Sequence, residues 1–185
     1  MAQRSQRTRD LLLRLLDDHQ PYDANEARML ERLHIFVSEH EDCFERSLGV
    51  GHVTGSAWVV DLDRECVLLT HHVKLNKWLQ LGGHADGEPD VREVALREAR
   101  EESGLEDIRP VSDKIFDVDV HEIPARGSEP AHYHYDVRFL FEIDRRQPLG
   151  ITQESKAIEW VKIIEVQNLT CEESVLRMVA KTPRR

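Results

Sequence analysis

Glu98, Glu101 and Glu102 stand in the run Arg97-Glu98-Ala99-Arg100-Glu101-Glu102-Ser103-Gly104-Leu105, approached from the pair Gly82-Gly83. Residues three and four apart share a helix face, so Glu98 and Glu102 point the same way, with Glu101 beside them. Carboxylates held that close repel one another unless a cation stands between them. Mg²⁺ and Mn²⁺ are the hard divalent ions that carboxylate oxygens suit. A glycine pair lets backbone approach a metal or phosphate where a Cβ would obstruct. Arg97 stays protonated and is no ligand, but a hydrogen bond from it to a glutamate would fix that carboxylate's orientation. Taken alone, the three glutamates also suit an ordinary solvated helix face.

His132, His134 and Asp136 form a second set. Strand alternation puts all three on one face, with His121 on the expected partner strand. That face suits a second metal or contact with phosphates and ribose; a row of satisfied polar residues is the plainer alternative. Arg138 continues the face and offers a fork to phosphate oxygens. Lys74 and Lys77 offer point charges to phosphate oxygens, although an exposed, solvated lysine is the default for both. His71, His72 and His84 flank the glycine pair and suit either phosphate contact or plain surface. Gln80 is placed for a base or sugar contact. Trp58 and Trp78 have the rings to stack a base, although tryptophan in a strand more often belongs to a core.

The frame G-x5-E-x7-R-E-U-x-E-E-x-G-U, with U apolar, is the Nudix box. Arg97, Glu98, Ala99, Glu101, Glu102, Gly104 and Leu105 fill its second half without a gap, and Gly83 lies at the right distance upstream. The chain therefore resembles the Nudix hydrolase superfamily, in a branch reached through Gly82-Gly83-His84-Ala85-Asp86-Gly87. The first glutamate of the frame departs from the pattern. Counted from Gly83 its slot holds Pro89, with Glu88 one residue early and Asp90 one late; counted from Gly82, Glu88 fits but an extra residue precedes Arg97.

The resemblance implies an α/β fold, a Nudix-type α/β/α sandwich with a mixed sheet, from about residue 50 to the C-terminus. It implies that Glu98 and Glu102 are the principal ligands of Mg²⁺ or Mn²⁺, with Glu101 and the Gly82 carbonyl as further contacts. Arg97 would orient them, and the metal would bridge a diphosphate. Gly83, Gln80, His84, His132, His134, Asp136 and Arg138 are the expected substrate side. Glu98 is the favoured proton acceptor, with Glu122, Glu129 and Glu154 as loop or strand-end alternatives. The expected reaction is metal-dependent cleavage of the diphosphate linkage in a nucleoside diphosphate derivative, such as a nucleotide sugar, ahead of a nucleoside triphosphate. A nucleotide-type small molecule is thus the expected partner. The alternative from another class is a Nudix-fold ligand sensor or interaction module without turnover, but such modules commonly lose box glutamates. An isomerase of isoprenoid diphosphates needs a well-placed cysteine, and Cys66 has the wrong neighbours.

Composition bounds these readings. The chain has 185 residues, 40% of them hydrophobic and 32% charged, which suits one domain with an extension and a real core. A net charge of −10 argues against non-specific nucleic-acid binding and against anionic membranes. Cys43, Cys66 and Cys171 are odd in number and scattered, so free thiols and a cytoplasmic setting are expected. No apolar run is long enough to span a bilayer, and no signal-peptide cleavage pattern follows Leu11 to Leu16.

Residues 1–48 read as a helical extension and 49–185 as the hydrolase domain. Leu11, Leu12, Leu15 and Leu16, then Met29, Leu30, Leu33 and Val37, repeat at helical spacing, with Asp23 or Asn25 as cap of the second helix. This hairpin packs on the main domain or on a second copy, so a homodimer is an expectation. Arg4, Arg7 and Arg9 read as a solvated end. From Gly51, Val53, Gly55, Ala57 and Val59 alternate with His52, Thr54, Ser56 and Trp58 as a strand. Further strands are expected over 67–73, 78–81, 115–123, 133–143 and 158–161. The box helix runs from Pro89 or Asp90 to Ser103, and a last helix covers 172–181.

Overall fold

The computed structural model describes residues 2–73, 75–127, 130–150 and 155–185, with side chains from residue 9 onward and excluding that of residue 155. Lys74, Glu129, Glu154 and the side chains of Arg4 and Arg7 lie outside the described residues.

Helix α1 (Ala2–Asp17) and helix α2 (Ala24–Glu39) form the expected hairpin. Asp23 caps α2: its side-chain oxygen accepts the Glu26 amide at 2.7 Å. Arg9 is no solvated end. Its guanidinium donates to the carbonyls of Val37 (3.0 Å) and Ser38 (2.9 Å), where the last turn of α2 leaves acceptors open. Leu12, Leu16, Leu33, Phe36 and Val37 are buried and join one core with the sheet. Phe36 stacks on Tyr135 with ring centroids 3.7 Å apart and planes 2° from parallel.

Strand β1 (Gly51–Asp61) is buried along its whole length on both faces. Its partner β7 (His132–Ile143) runs parallel to it from Gly51↔Tyr133 to Asp61↔Ile143. A parallel pair needs cover on both sides. On its other side β1 meets two strands in turn. β4 (Leu81–His84) pairs with Thr54 to Ala57, and β2 (Cys66–His72) pairs at Val60↔Val67. β2 continues the sheet to β3 (Lys77–Leu79) and β8 (Ser155–Lys162). Beyond β7 lie β5 (Arg109–Pro110) and β6 (Asp117–Ile123).

The run expected as one strand, 78–81, is two. The glycine pair lies inside β4, hydrogen-bonded to β1 instead of forming a turn. The missing side chains allow this: a Cβ at Gly82 would overlap the Ser56 hydroxyl. β8 extends past the expected 158–161 because its ladder with β2 runs on through polar residues that carry no alternation signal.

Helix α3 (Val91–Ser103) covers one face of the sheet, its Asp90 cap accepting the Glu93 amide and Gly104 closing it at φ 70°. Val91, Val94, Ala95 and Ala99 face Val53, Ala57, Val137 and Phe139 in the core shared with α1 and α2. The approach is close, since a Cβ at Gly55 would stand 2.7 Å from the Val91 carbonyl oxygen. The opposite face packs Trp58, Val60, Val67, Leu69 and Leu140 against Val175 and Met178 of α4 (Glu173–Lys181), reached through a 3-10 turn at Ile163–Asn168. Helices thus lie on both faces of a mixed sheet, as expected. No helix among the described residues is long and apolar enough to cross a membrane.

Candidate active site

The end of α3 and the glycine pair of β4 meet face to face. Glu102 Oε1 accepts the Gly82 amide at 2.8 Å. The Glu98 carboxylate lies where a Gly83 Cβ would stand, so only glycine lets it sit there. Arg97 Nη1 pairs with Glu98 Oε1 at 2.9 Å and reaches Glu101 Oε2 at 3.8 Å, while Nη2 donates to the His84 carbonyl at 3.1 Å. One guanidinium therefore ties the helix to the strand and turns Glu98 inward. Glu98 is 18% exposed at its side chain and Glu101 62%, which ranks Glu101 as the outer member.

These residues fit a hard divalent ion. Two carboxylates converge on half-buried glycine backbone in a cradle that a single Cβ would fill, and oxygen donors are the set such ions take. Gly83→Ala is accordingly expected to push the Glu98 carboxylate aside. The fold survives, because the displaced atoms end a flexible side chain, but turnover falls roughly tenfold to a hundredfold. Steady-state kinetics beside a circular-dichroism melt checks this.

Behind Gly82 a buried network begins. Thr54 Oγ1 (2.9 Å) and Ser56 Oγ (2.7 Å) donate to Asp136 Oδ1; Gln80 Nε2 (3.2 Å) and Arg138 Nε (2.7 Å) donate to Oδ2. Arg138, itself 2% exposed, reaches Asp117 Oδ2 at 3.1 Å and Asp119 Oδ2 at 3.3 Å. The carboxylates around it raise its already high pKa despite burial. Burial would raise the Asp119 carboxyl, but the Arg138 charge and the bond with His121 outweigh it and hold it at about 2. Asp136 and Arg138, expected beside the substrate, thus stand below the surface with their polar atoms engaged by protein.

Further along the same face the polar row becomes histidine. The His134 ring centroid lies 4.8 Å from that of His52, 5.1 Å from His84, 5.3 Å from His132 and 5.6 Å from His121. Register explains the meeting: His52, His134 and His121 are cross-strand partners on β1, β7 and β6, and His132 is the next same-face position of β7. Burial and the neighbouring imidazoles hold His134 down at about 2, and burial with the Arg46 charge lowers His84 to about 4.

Sequence reasoning missed Thr54, Ser56 and His52. They fall on the alternate of β1 that carries Trp58, but only the parallel pairing with β7, a non-local fact, brings them to Asp136 and His134. A cavity of about 440 Å³ lies between α2 and the ends of β6 and β7, lined in part by Phe36, Val50, Glu122, His132, Tyr133 and Tyr135. It adjoins the histidines through His132, and no box glutamate lines it. Trp58 is core, its indole donating to Thr182 Oγ1 at 2.9 Å; Trp78 stacks on His71 at 5.1 Å.

The fold has solved counterparts. An Ap4A hydrolase from C. elegans in a binary complex is 15% identical, covers 70% of this chain and 93% of its own, and superposes with a TM-score of 0.56. The dihydroneopterin triphosphate pyrophosphohydrolase of E. coli is 15% identical, with 70% and 92% covered and a TM-score of 0.54. RenU, a Nudix hydrolase from M. smegmatis, is 16% identical, with 71% and 83% covered and a TM-score of 0.53. No curated protein matches the chain significantly. Residues 52–181 match the family model of the NUDIX domain, a span that begins at the histidine of β1 and ends in α4. The chain belongs to the Nudix family, hydrolases that act on phosphoric anhydride bonds.

Proposed function

We propose that the chain is a divalent-metal-dependent hydrolase that cleaves the diphosphate linkage of a nucleoside diphosphate derivative, such as a nucleotide sugar, or of a nucleoside triphosphate. One observation carries the reading. Glu98 and Glu102 converge on the Gly82-Gly83 backbone, one filling the space of an absent Cβ and the other bonded to an amide. Glu98 and Glu102 would hold Mg²⁺ or Mn²⁺, with Glu101 and the Gly82 carbonyl as outer contacts. When bound, such an ion neutralises phosphate charge and polarises the bond to be broken.

The chain's own residues supply the rest. Glu98, turned inward by Arg97, is the proton acceptor for the attacking water, a role that needs a carboxylate within hydrogen-bond reach. Gly83 leaves room for the Glu98 carboxylate where a side chain would obstruct. His84, His132 and His134 form the substrate side of the sheet. Asp136, Arg138 and Gln80 brace that side from below, since a fixed carboxylate with four donors ties β1, β7 and the residue that leads into β4 together.

A panel of nucleotide sugars, other nucleoside diphosphate derivatives and nucleoside triphosphates, assayed with Mg²⁺ and with Mn²⁺, tests this. Release of a mononucleotide from a diphosphate derivative, abolished by chelation, is the expected result. Chelator-resistant turnover, or none across the panel, would overturn it.

A further inference from the structure

The histidine row lies outside the carboxylate site and has a donor chemistry of its own. One ring nitrogen from each of His52, His132 and His134 lies within 4.8 Å of those of the other two. Around a tetrahedral ion with bonds of about 2.0–2.1 Å, ligand nitrogens stand roughly 3.4 Å apart, so each ring needs to move by less than about 1 Å. Rotation about χ angles supplies that without moving a strand.

We propose that His52, His132 and His134 form a binding site for a borderline transition-metal dication, Zn²⁺ first among them, separate from the carboxylate site on α3. Imidazole nitrogen suits Zn²⁺, Ni²⁺, Co²⁺ and Cu²⁺ and does not suit Mg²⁺. Three imidazoles leave a coordination position open for water or a ligand oxygen.

Three features beyond proximity support the site. First, the backbone is rigid. His52 and His134 are register partners in the eleven-residue parallel ladder of β1 and β7, and His132 is two residues along the same strand. Second, His132 is already oriented as a ligand. Its Nδ1 lies 3.0 Å from the Pro130 carbonyl oxygen, which can only accept. Nδ1 therefore carries the proton and Nε2 keeps its lone pair, the outer support that metal-bound histidines have. Third, the neighbours repeat the pattern. His121 is held through Nδ1 by Asp119 at 3.2 Å, and its ring lies beside His134. His84 closes the other side, with its centroid 5.0 Å from that of His52.

The two sites share β4. Gly82 bonds Glu102, and His84, two residues on, joins the histidine row.

The test titrates chelator-treated, full-length protein with ZnCl₂ alone by calorimetry, in parallel with the double variant E98Q/E102Q and the single variants His132→Asn and His134→Asn. We expect one equivalent bound with a Kd of roughly 1 µM or tighter. The double variant should keep this binding, millimolar Mg²⁺ should not compete, and each histidine variant should weaken it by about tenfold to a hundredfold. Absence of saturable binding by the folded protein would overturn the proposal, as would binding indifferent to both histidine variants or abolished in E98Q/E102Q. Should a histidine variant fail to fold, the wild-type chain loaded with Co²⁺ decides: intense visible absorption from low-coordinate, nitrogen-ligated cobalt supports the site, and the weak spectrum of six-coordinate cobalt rejects it.

Discussion

Glu102→Gln is expected to lower turnover by about a hundredfold or more while leaving the melting transition in place, the scale on which a metal site loses activity when one of its ligands is disabled. The substitution is chosen for what it keeps. The amide oxygen of glutamine can still accept the Gly82 N–H that Glu102 Oε1 accepts now at 2.8 Å, so the tie between α3 and β4 survives. Only the charge goes. Glu102 is partly exposed at the end of α3, and removing one of several like charges from a helix face should not destabilise it. Kinetics over a wide range of Mg²⁺ should show a raised metal requirement as well as a lower plateau. Glu101→Gln should be milder, because that side chain is 62% exposed and its Arg97 contact is long. Full activity of the Glu102 variant at ordinary Mg²⁺ would remove the carboxylate site from the mechanism.

That contrast shows which parts of the site are legible in a sequence. Glu98, Glu102 and Arg97 are spaced along one helix, and helical periodicity is local, so their shared face follows from counting. Gly104 ends the helix for an equally local reason. Gly82 and Gly83 announce a close approach but not its form, and the strand pairing that seats them against Ser56 and Glu98 depends on β1, some thirty residues earlier. His132, His134 and Asp136 share a face by alternation, which is again local. Their depth is not. Asp136 and Arg138 look like substrate contacts until β6, β1 and α4 close around them. His52 carries no signal until β1 and β7 are known to run parallel in one register. Short-range spacing thus gives the carboxylate cluster, and long-range pairing gives the histidine cluster and the buried ion network.

The farthest of those long-range effects is Glu26, and its removal is the second large expectation. Asp23 and Glu26 stand where a helix start needs them, which is all the sequence says. In the fold Glu26 is fully buried and accepts from four directions: His19 (2.9 Å), the Tyr22 amide (2.6 Å), Lys181 (2.6 Å) and the Val118 amide (3.3 Å), with the Arg177 guanidinium a longer ion pair at 4.0 Å. It fastens the N-terminal helices to the edge of β6 and to α4. Together with Arg177, which donates to the Val118 carbonyl, it covers backbone groups that an edge strand would otherwise present for pairing. Glu26→Ala should therefore cost about 3–5 kcal/mol, the range for breaking a buried ion pair from one side.

The charge itself is separable by pH. Burial would raise the Glu26 carboxyl, but the His19 and Lys181 hydrogen bonds and the Tyr22 amide outweigh it and hold it at about 2, against 4.5 in an open chain. A folded value below the unfolded one means that the unfolded chain binds more protons between those limits. The stabilisation is then complete above about pH 4.5 and is lost as pH falls toward 2, with a ceiling on the order of 3 kcal/mol. Glu26→Gln, compared with wild type by urea denaturation, should lose most of its destabilisation between pH 7 and pH 2.5. An equal difference at both would show that the carboxylate's charge contributes nothing. Because Asp117 shares Lys181 and Arg177 with Glu26 and shares Arg138 with Asp136, loosening this anchor should also loosen the strand face that carries the histidines. Zinc affinity and stability should therefore fall together in Glu26→Ala, although residue 26 lies on none of the strands that carry those rings.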